Sequence, residues 1–584
     1  MDETPHHSND ATEPQTALPP VASLRYSALA LRPKRRLDPL ALIGSGWCAP
    51  LIVAVCSGLP LAWMLGALFL ASPQVRAELH VSSFRAELLL RTLAYNGLAA
   101  VIATLMGIPA GFVLGRGRGI VARVLWVLLP AALLMPSLSY TYGWSQLAHL
   151  CRRWLMPMGI TFVPGGTADT LRCIWSLAAW LWGVPAGIIG LSLRRVDPGI
   201  QQQAMLDGAP RRVTFRLLWP AIFASIAVVT VLATQEFAVY EPTGISVVAT
   251  EVRMVFDTGA FSSPDNPINA PGLQGGGAKA TEQPERAAAA VATALPLIGA
   301  TFLLALALGW SATASAAAET IAIGQWPRVL DASRWTILLS CVLLLITVGV
   351  PVAALLCSLR VPFSATYILE EFGPEVGGAL IVASIAAATA ALVAFSASGR
   401  WTRGLLLATG STFLIGGQLL AIADIRIYNR HGFMWAYNAF PAPVFAYLGR
   451  FGWLALVAAR GAFSRPWRDL REMASLDGAG ISQISRNIVW PLAWPILLAA
   501  GLMVGALSLT EVPATVLLFP QHPQVLTPLL MTWVHTARYD PMIEASLLMM
   551  AVVLFPALAA ILLTQLGLKL TRRFSSPRAN SPER

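Results

Sequence analysis

Residues 472–479 read Glu-Met-Ala-Ser-Leu-Asp-Gly-Ala, and residues 202–209, which lie 270 positions earlier, read Gln-Gln-Ala-Met-Leu-Asp-Gly-Ala. Each copy lies between two long apolar segments and continues to a Trp-Pro pair, Trp219-Pro220 in the first copy and Trp490-Pro491 in the second. A short polar loop that recurs at the same place in both halves of a chain predicts an internal repeat. It also predicts one kind of docking surface that is used twice.

The amino-acid composition indicates that most of the chain lies in a membrane. Hydrophobic residues make up 56% of the sequence and charged residues 12%, whereas about a quarter of a soluble domain is charged. Apolar runs of about 20 residues can cross a bilayer, where only helices or closed barrels satisfy their own backbone groups. We therefore predict an all-α polytopic membrane protein with about twelve transmembrane helices. The predicted spans lie near 41–71, 92–114, 120–140, 172–193, 217–240, 287–310, 336–357, 375–397, 404–423, 441–460, 490–518 and 543–566.

Lysine and arginine predict the orientation of these spans, because basic loops tend to stay in the cytoplasm. With both termini inside, the cytoplasmic segments hold 27 of the 41 basic residues. This bias and the attraction of such loops to anionic lipid account for the net charge of +11, so no nucleic-acid partner is predicted. Residues 1–40 are polar and end in Arg32-Pro-Lys-Arg-Arg36. They predict a disordered cytoplasmic tail and not a cleavable signal peptide.

The repeat extends beyond the two loops. Arg116 maps onto Arg400 at an offset of 284, and Glu241 maps onto Glu511 at an offset of 270. Each half then has six spans, with the loop between its fourth and fifth. Because six is even, we expect parallel repeats related by an axis along the membrane normal. The predicted divisions are a tail at 1–40, a first half at 41–311, a cytoplasmic linker at 312–335, a second half at 336–568 and a basic tail at 569–584, with a disordered outer insertion at 263–286.

The recurring loop has the signals of a helix, a sharp turn and a second helix. Pro198 is placed to open the first helix, since proline is favoured in a first turn. Gly208 and Gly478 each follow an Asp and permit the left-handed turn that ends a helix. Such an element fits a groove on a soluble partner, or it lies on the lipid surface as an ordinary amphipathic helix. Two copies at one topological position favour the docking interpretation.

The second copy resembles the EAA signature of permease subunits of binding-protein-dependent ABC importers. That signature is Glu-Ala-Ala, two residues, Asp-Gly-Ala, and a run that ends in an aliphatic residue, one residue and Leu-Pro. The matching residues are Glu472, Ala474, Asp477, Gly478, Ala479, Ile488 and Pro491, with Trp490 in place of the usual Leu. The first copy keeps Ala204, Asp207, Gly208, Ala209 and Pro220, but Gln202 and Gln203 replace Glu and Ala, and Pro220 comes one residue early.

Two such halves in one chain resemble the fused permeases of the ferric-iron importer group, which also has thiamine and aminoethylphosphonate relatives. Ser508–Leu518 is similar to the Glu-Leu-x-Ala-Thr-x-Leu-Leu stretch of those permeases, and the likeness covers about 90–570. The resemblance implies two ABC ATPase subunits, one at each loop, and a periplasmic binding protein. It also implies a bacterial inner membrane and a transport subunit that has no catalytic residues or cofactor of its own. The sequence contains no Gly-x-x-x-x-Gly-Lys-Ser/Thr, so ATP is expected on the partner subunits.

The substrate and its path are less constrained by the sequence. Ferric iron is the first expectation, and thiamine, 2-aminoethylphosphonate and polyamines stay open. Glu236, Glu241 and Glu511 are candidates for the translocation path, because ionisable groups at membrane depth usually face a cavity. Glu241 and Glu511 also fit an ordinary role as interfacial carboxylates at helix ends, whereas Glu236 lies one or more turns deeper. A rival class, the ion-coupled secondary transporters, requires buried charges in mid-span, and Glu236 and Arg450 are the deepest candidates.

Cysteine and histidine give weaker signals. Cys151 and Cys173 bracket an outer loop, and a disulfide between them in an oxidising compartment stays open. Five histidines fall outside the membrane on this topology, namely His80, His149, His431, His522 and His535. No two of them have the close spacing of a ligand pair on one helix, so no metal site is predicted.

Overall fold

The computed structural model describes residues 47–575, except for 78, 80–81, 118–119, 159–165, 197, 259–282, 317–332, 361, 363, 398–400, 463–464, 519, 521 and 537. The predicted tail at 1–40 and most of the insertion and of the linker lie outside the described residues. The described residues form helices joined by short loops, with no β-strand among them. The predicted all-α class is therefore confirmed.

The first half of the chain contributes twelve described helices. The long apolar runs form helices because their backbone groups then pair within the segment. The twelve helices are α1 Cys48–Val53, α2 Leu59–Phe69, α3 Pro73–Ala77, α4 Ser83–Arg116, α5 Ile120–Leu128, α6 Ser137–Leu155, α7 Thr167–Leu181, α8 Gly183–Arg195, α9 Pro198–Leu206, α10 Pro210–Thr234, α11 Val248–Thr258 and α12 Gln283–Ala316.

The second half begins at α13 and contributes the remaining described helices. They are α13 Arg334–Leu344, α14 Val350–Ser358, α15 Ala365–Ser396, α16 Thr402–Ile415, α17 Gly417–Tyr428, α18 Met434–Tyr437, α19 Pro441–Ala462, α20 Arg465–Leu476, α21 Ile481–Ile484, α22 Trp490–Thr510, α23 Pro513–Leu517, α24 Leu526–His535 and α25 Tyr539–Ser575.

Among the described residues, ten helices are long and apolar enough to cross a membrane, and a bent pair brings the number to eleven. The chain is therefore a multi-pass membrane protein by the length and composition of its helices. This number of spans is lower than the predicted number of about twelve, because the segment predicted third in each half is not a single straight helix. Residues 120–140 form a short apolar helix, Ile120–Ala131, and the start of α6, because Pro130 and Pro136 interrupt the run. Residues 404–423 bend by 105° between α16 and α17.

The first span of each half contains one π-helical turn just before a proline. These turns are Ala54–Gly58, which precedes Pro60, and Leu345–Gly349, which precedes Pro351. Proline has no N–H, so a carbonyl one turn earlier loses its helical partner. The Tyr140 hydroxyl donates to the Thr347 carbonyl at 2.7 Å.

Each first span packs against the other half of the chain. The helices α13 and α14 lie along α4 and α6, whereas α1 and α2 contact α15, α16 and α17. The Tyr428 hydroxyl donates to the Val55 carbonyl at 3.4 Å, and Ser57 and Thr412 share a hydroxyl hydrogen bond of 3.2 Å. Both halves therefore contribute to one apolar core.

Candidate functional site

The first recurring loop ends α9 with a left-handed glycine. Gly208 has a φ of +68°, and no neighbour lies within 4 Å of the position that a Cβ would take. The Ala209 N–H donates to the Ala204 carbonyl at 3.0 Å, and the Gly208 N–H donates to the Met205 carbonyl at 3.1 Å. This pair of hydrogen bonds is the Schellman motif, which satisfies the last carbonyls of a helix.

The second loop repeats this geometry at the end of α20. Gly478 has a φ of +80°, again with open space around it. The Ala479 N–H donates to the Ala474 carbonyl at 3.0 Å, and the Gly478 N–H donates to the Ser475 carbonyl at 3.3 Å. The predicted left-handed turns are confirmed at both positions, and α9 begins at Pro198 as predicted.

A π-helical turn accounts for the difference in length between the two copies. The chain after Gly208 enters α10 directly and stays α-helical through Pro220. After Gly478, the helix contains a π turn at Ser485–Val489 before Pro491. Because a π turn accommodates one extra residue within a helix, the longer copy can keep the same course.

Both loops expose a leucine beside the turn. Leu206 is 83% exposed and Leu476 is 86% exposed, and the Asp207 and Asp477 that follow are also exposed. The other predicted loop residues differ in their exposure. Gln202, Gly208, Pro220 and Gly478 are exposed, Ala204 is buried, and Ala209, Glu472, Ala474, Ala479, Ile488 and Pro491 are partly buried. Each loop therefore presents an apolar tip next to an acidic side chain.

A second arrangement, here called the ionic cluster, consists of Arg450, Glu236 and Glu511. Each of the three is only 4% exposed. The Arg450 guanidinium donates through Nη2 to Glu236 Oε1 at 3.2 Å and through Nη1 to Glu511 Oε1. Arg450 lies on α19, Glu236 follows α10 and Glu511 follows α22, so one side chain joins the two halves of the chain.

The broken third spans hold the two carboxylates of the ionic cluster. The Ser137 hydroxyl, at the start of α6, donates to Glu236 Oε2 at 2.9 Å. Gly417, at the start of α17, packs so closely that a Cβ would collide with Glu511 and with Arg450. The Ala514 N–H adds a 3.2 Å hydrogen bond to Glu511 Oε1. In each half, the break in the third span therefore lies next to one of the two buried carboxylates.

Glu241 lies apart from the ionic cluster. It accepts a 2.6 Å hydrogen bond from Arg253, and His535 approaches it at 3.7 Å. Burial raises the pKa of the Glu241 carboxyl, while Arg253 opposes this shift. The sequence offset matches Glu241 with Glu511, but the residue that shares Arg450 with Glu511 is Glu236. The constant offset of 270 misses this pairing because the helices end at different places: α10 ends at Thr234, two residues before Glu236, and α22 ends at Thr510, one residue before Glu511.

Some features of these sites have little or no signal in the sequence. Arg450 is signalled in the sequence as a lone charge within an apolar helix. The sequence does not identify its two carboxylate partners. Ser137 and Gly417 have no such signal, because small residues are common in membrane helices. Asp424 on α17 is fully buried, and neither of its oxygens has a hydrogen-bond partner among the described residues.

The two cysteines that bracket the predicted outer loop are unpaired. Cys151 is exposed, whereas Cys173 is buried and donates its thiol to the Val239 carbonyl at 3.5 Å. The thiol of Cys173 therefore points into the core and away from a partner across the loop.

The chain was compared with known families, curated proteins and solved structures. No family model, no curated protein and no solved structure matches it. The twin loops and the ionic cluster are therefore the observations on which its function is inferred.

Proposed function

We propose that the chain is the fused permease subunit of a binding-protein-dependent ABC importer. The observation that carries this proposal is the pair of matching loops, each a helix that ends in a Schellman turn and exposes a leucine. An exposed apolar side chain beside a rigid turn favours insertion into a pocket on a protein partner. Two loops of matching geometry suit a pair of ATPase subunits, one at each loop.

The proposed architecture is two parallel six-helix permease repeats. Three correspondences support it besides the loops. Each half has a first span with a π turn before a proline, a third span that is broken, and a glutamate just after its fifth span. The tyrosine contacts to Val55 and Thr347 are also reciprocal between the halves.

In this proposal the two loops face the cytoplasm of a bacterium, as do both termini. ATP binds and is hydrolysed on the two partner ATPases, and the permease has a coupling role without catalysis. Closure of the ATPase pair draws the loops together and turns the halves outward toward the periplasmic binding protein. The Schellman turns matter here because a stiff helix end transmits a push that a flexible loop would absorb.

Ferric iron is the substrate that we propose first. The ionic cluster has two carboxylates and one guanidinium, so a path that passes it favours cations over anions. This charge balance also fits thiamine and polyamines, and it fits 2-aminoethylphosphonate less well. Uptake of labelled iron, thiamine and a polyamine by a deletion strain that carries the chain would separate these substrates.

An ion-coupled secondary transporter is the second candidate, and the buried ionic cluster favours it. Such proteins place ionisable groups at membrane depth to bind the coupling ion. Vesicles that contain only this polypeptide distinguish the two functions. A secondary transporter would take up solute when an ion gradient is imposed across the vesicle membrane, whereas the proposed permease would not.

Co-purification tests the proposed docking. Tagged permease from native membranes is expected to retain ATPase subunits. The double variant Leu206→Glu/Leu476→Glu is expected to lose them, because each substitution places a charge in an apolar pocket. The control is Leu171→Glu, which changes an exposed leucine at the start of α7 and should leave the complex intact. Retention of the ATPases by the double variant would contradict the docking role of the loops.

A further inference from the structure

The ionic cluster joins the halves through a single guanidinium. Glu511 belongs to the same half as Arg450, whereas Glu236 belongs to the other half. Both carboxylates are buried, so their attraction to the guanidinium is weakly screened by water and salt. Separating the regions around α10 and α19 would require Arg450 to release Glu236.

The position that the loop repeat matches with Arg450 holds no cation in the first half. The residue 270 positions before Arg450 is Trp180, whose indole N–H donates to the Met135 carbonyl at 3.0 Å. Trp180 thus supports the break of the first half's third span, while Arg450 contacts the carboxylates of both halves. One arginine serves two carboxylates, and its counterpart in the loop repeat carries no charge.

A crevice between the halves lies directly beside the ionic cluster. It is lined by Thr234 and Gln235 next to Glu236, by Gly416 next to Gly417, and by Ala294 of α12. The Gln235 amide donates to the Phe413 carbonyl at 2.8 Å, so this lining residue also joins the two halves. The crevice has a volume of about 30 Å³, which holds about two waters, since one water needs roughly 10–15 Å³. The space between the halves is therefore narrow at this point.

We propose that Arg450 is the latch of the gate between the two halves, and that the gate opens when its guanidinium releases Glu236. This inference deepens the proposed transport function and rests on it. Arg450 is a positioning residue here, because it holds two elements together and does not need to touch the solute. Because a guanidinium fork binds two carboxylates at fixed angles, lysine would replace its charge but not its geometry.

The test measures how open the crevice is. Ala294→Cys places a thiol on the crevice wall, where the parent side chain is 3% exposed. The six native cysteines are first replaced by alanine or serine. The protein is placed in lipid nanodiscs without any ATPase, and a membrane-impermeant maleimide is added. We expect slow labelling with Arg450 intact.

Two variants break the latch differently. Arg450→Gln removes the guanidinium. Glu236→Gln weakens the contact across the halves, and with it the hydrogen bond from Ser137, while the pair of Arg450 and Glu511 persists. Each is expected to label about tenfold faster or more, the factor that corresponds to one charge-assisted hydrogen bond. Arg450→Lys is expected to fall between them and the parent.

Arg116→Gln is the matched control. Arg116 is also a buried arginine on a long membrane helix, at 8% exposure, but it donates to Thr214 in the same half of the chain and not to a neighbour of Ala294. If Arg116→Gln speeds labelling as much as Arg450→Gln, the effect is general loosening and the latch is refuted. Parent-like labelling of Glu236→Gln would refute it as well, provided that size exclusion shows a folded protein.

The proposed importer function does not decide this outcome. The labelling needs no ATPase, binding protein or solute, so a failure of the latch leaves the docking test untouched. Conversely, if the docking test fails and the loops do not bind ATPase subunits, the labelling rates are still expected to follow the latch.

Discussion

Gly208 and Gly478 are the residues on which the geometry of the loops depends. Both adopt positive φ with open space around the missing Cβ, so the backbone conformation and not crowding requires glycine. A residue with a Cβ costs about 1–3 kcal/mol in this conformation. Asn tolerates it better than any β-branched residue.

The first prediction concerns Gly478. Gly478→Val is expected to reduce solute uptake about tenfold or more, since 1.4 kcal/mol of strain corresponds to a factor of ten. ATP hydrolysis by the partner subunits is expected to continue, because the change lies in the coupling loop. Gly478→Asn is the control and should keep most of the uptake. Normal uptake by the valine variant, measured with labelled solute in a deletion strain, would contradict the role of this turn.

At the scale of elements, the π turns of the two first spans and the tyrosines that contact them connect the halves. Pro351 frees the Thr347 carbonyl, and Tyr140 occupies it at 2.7 Å. Tyr428 contacts the Val55 carbonyl at the longer distance of 3.4 Å. Both hydroxyls join the two halves, so their expected contribution is to stability.

The second prediction compares these two tyrosines. Tyr140→Phe is expected to destabilise the protein by about 1–3 kcal/mol, because it leaves a buried carbonyl without a donor. Tyr428→Phe should cost less, since its hydrogen bond is longer. Thermal unfolding of both variants in the same detergent measures the difference. Equal midpoints for the parent and Tyr140→Phe would show that the hydroxyl contributes nothing.

Local features of these elements were predictable from the sequence, and contacts between distant elements were not. The turns at Gly208 and Gly478 follow from an Asp-Gly pair within a few residues. The break near Pro136 is hidden, because the residues on both sides of it are apolar and read as one span. The pairing of Arg450 with Glu236 depends on how two helices cross, and no spacing along the chain encodes it.

At the scale of the whole molecule, the two halves hold each other through exchanged first spans. The helices α1 and α2 pack against the second half, and α13 and α14 pack against the first. Each half alone would leave exposed the apolar surface that these exchanged spans cover.

The third prediction follows from this exchange. Two separately encoded polypeptides, divided within residues 317–332, are expected to assemble when they are co-expressed in one membrane. A tag on the first half should then co-purify the second half. A first half that lacks residues 47–69 should recover less of its partner, because it loses the contacts of α1 and α2. Full recovery without these helices would show that the exchange is not needed for assembly.

The central claim is that both loops dock into ATPase subunits on the cytoplasmic side. It is tested most directly by a photo-reactive amino acid placed at Leu206 or at Leu476 in intact cells, followed by mass spectrometry of the crosslinked product. The account predicts the same nucleotide-binding subunit at both positions, and no reaction of a cysteine at either position with an impermeant reagent added outside. Labelling from outside, or crosslinks to lipid alone at both positions, would contradict it.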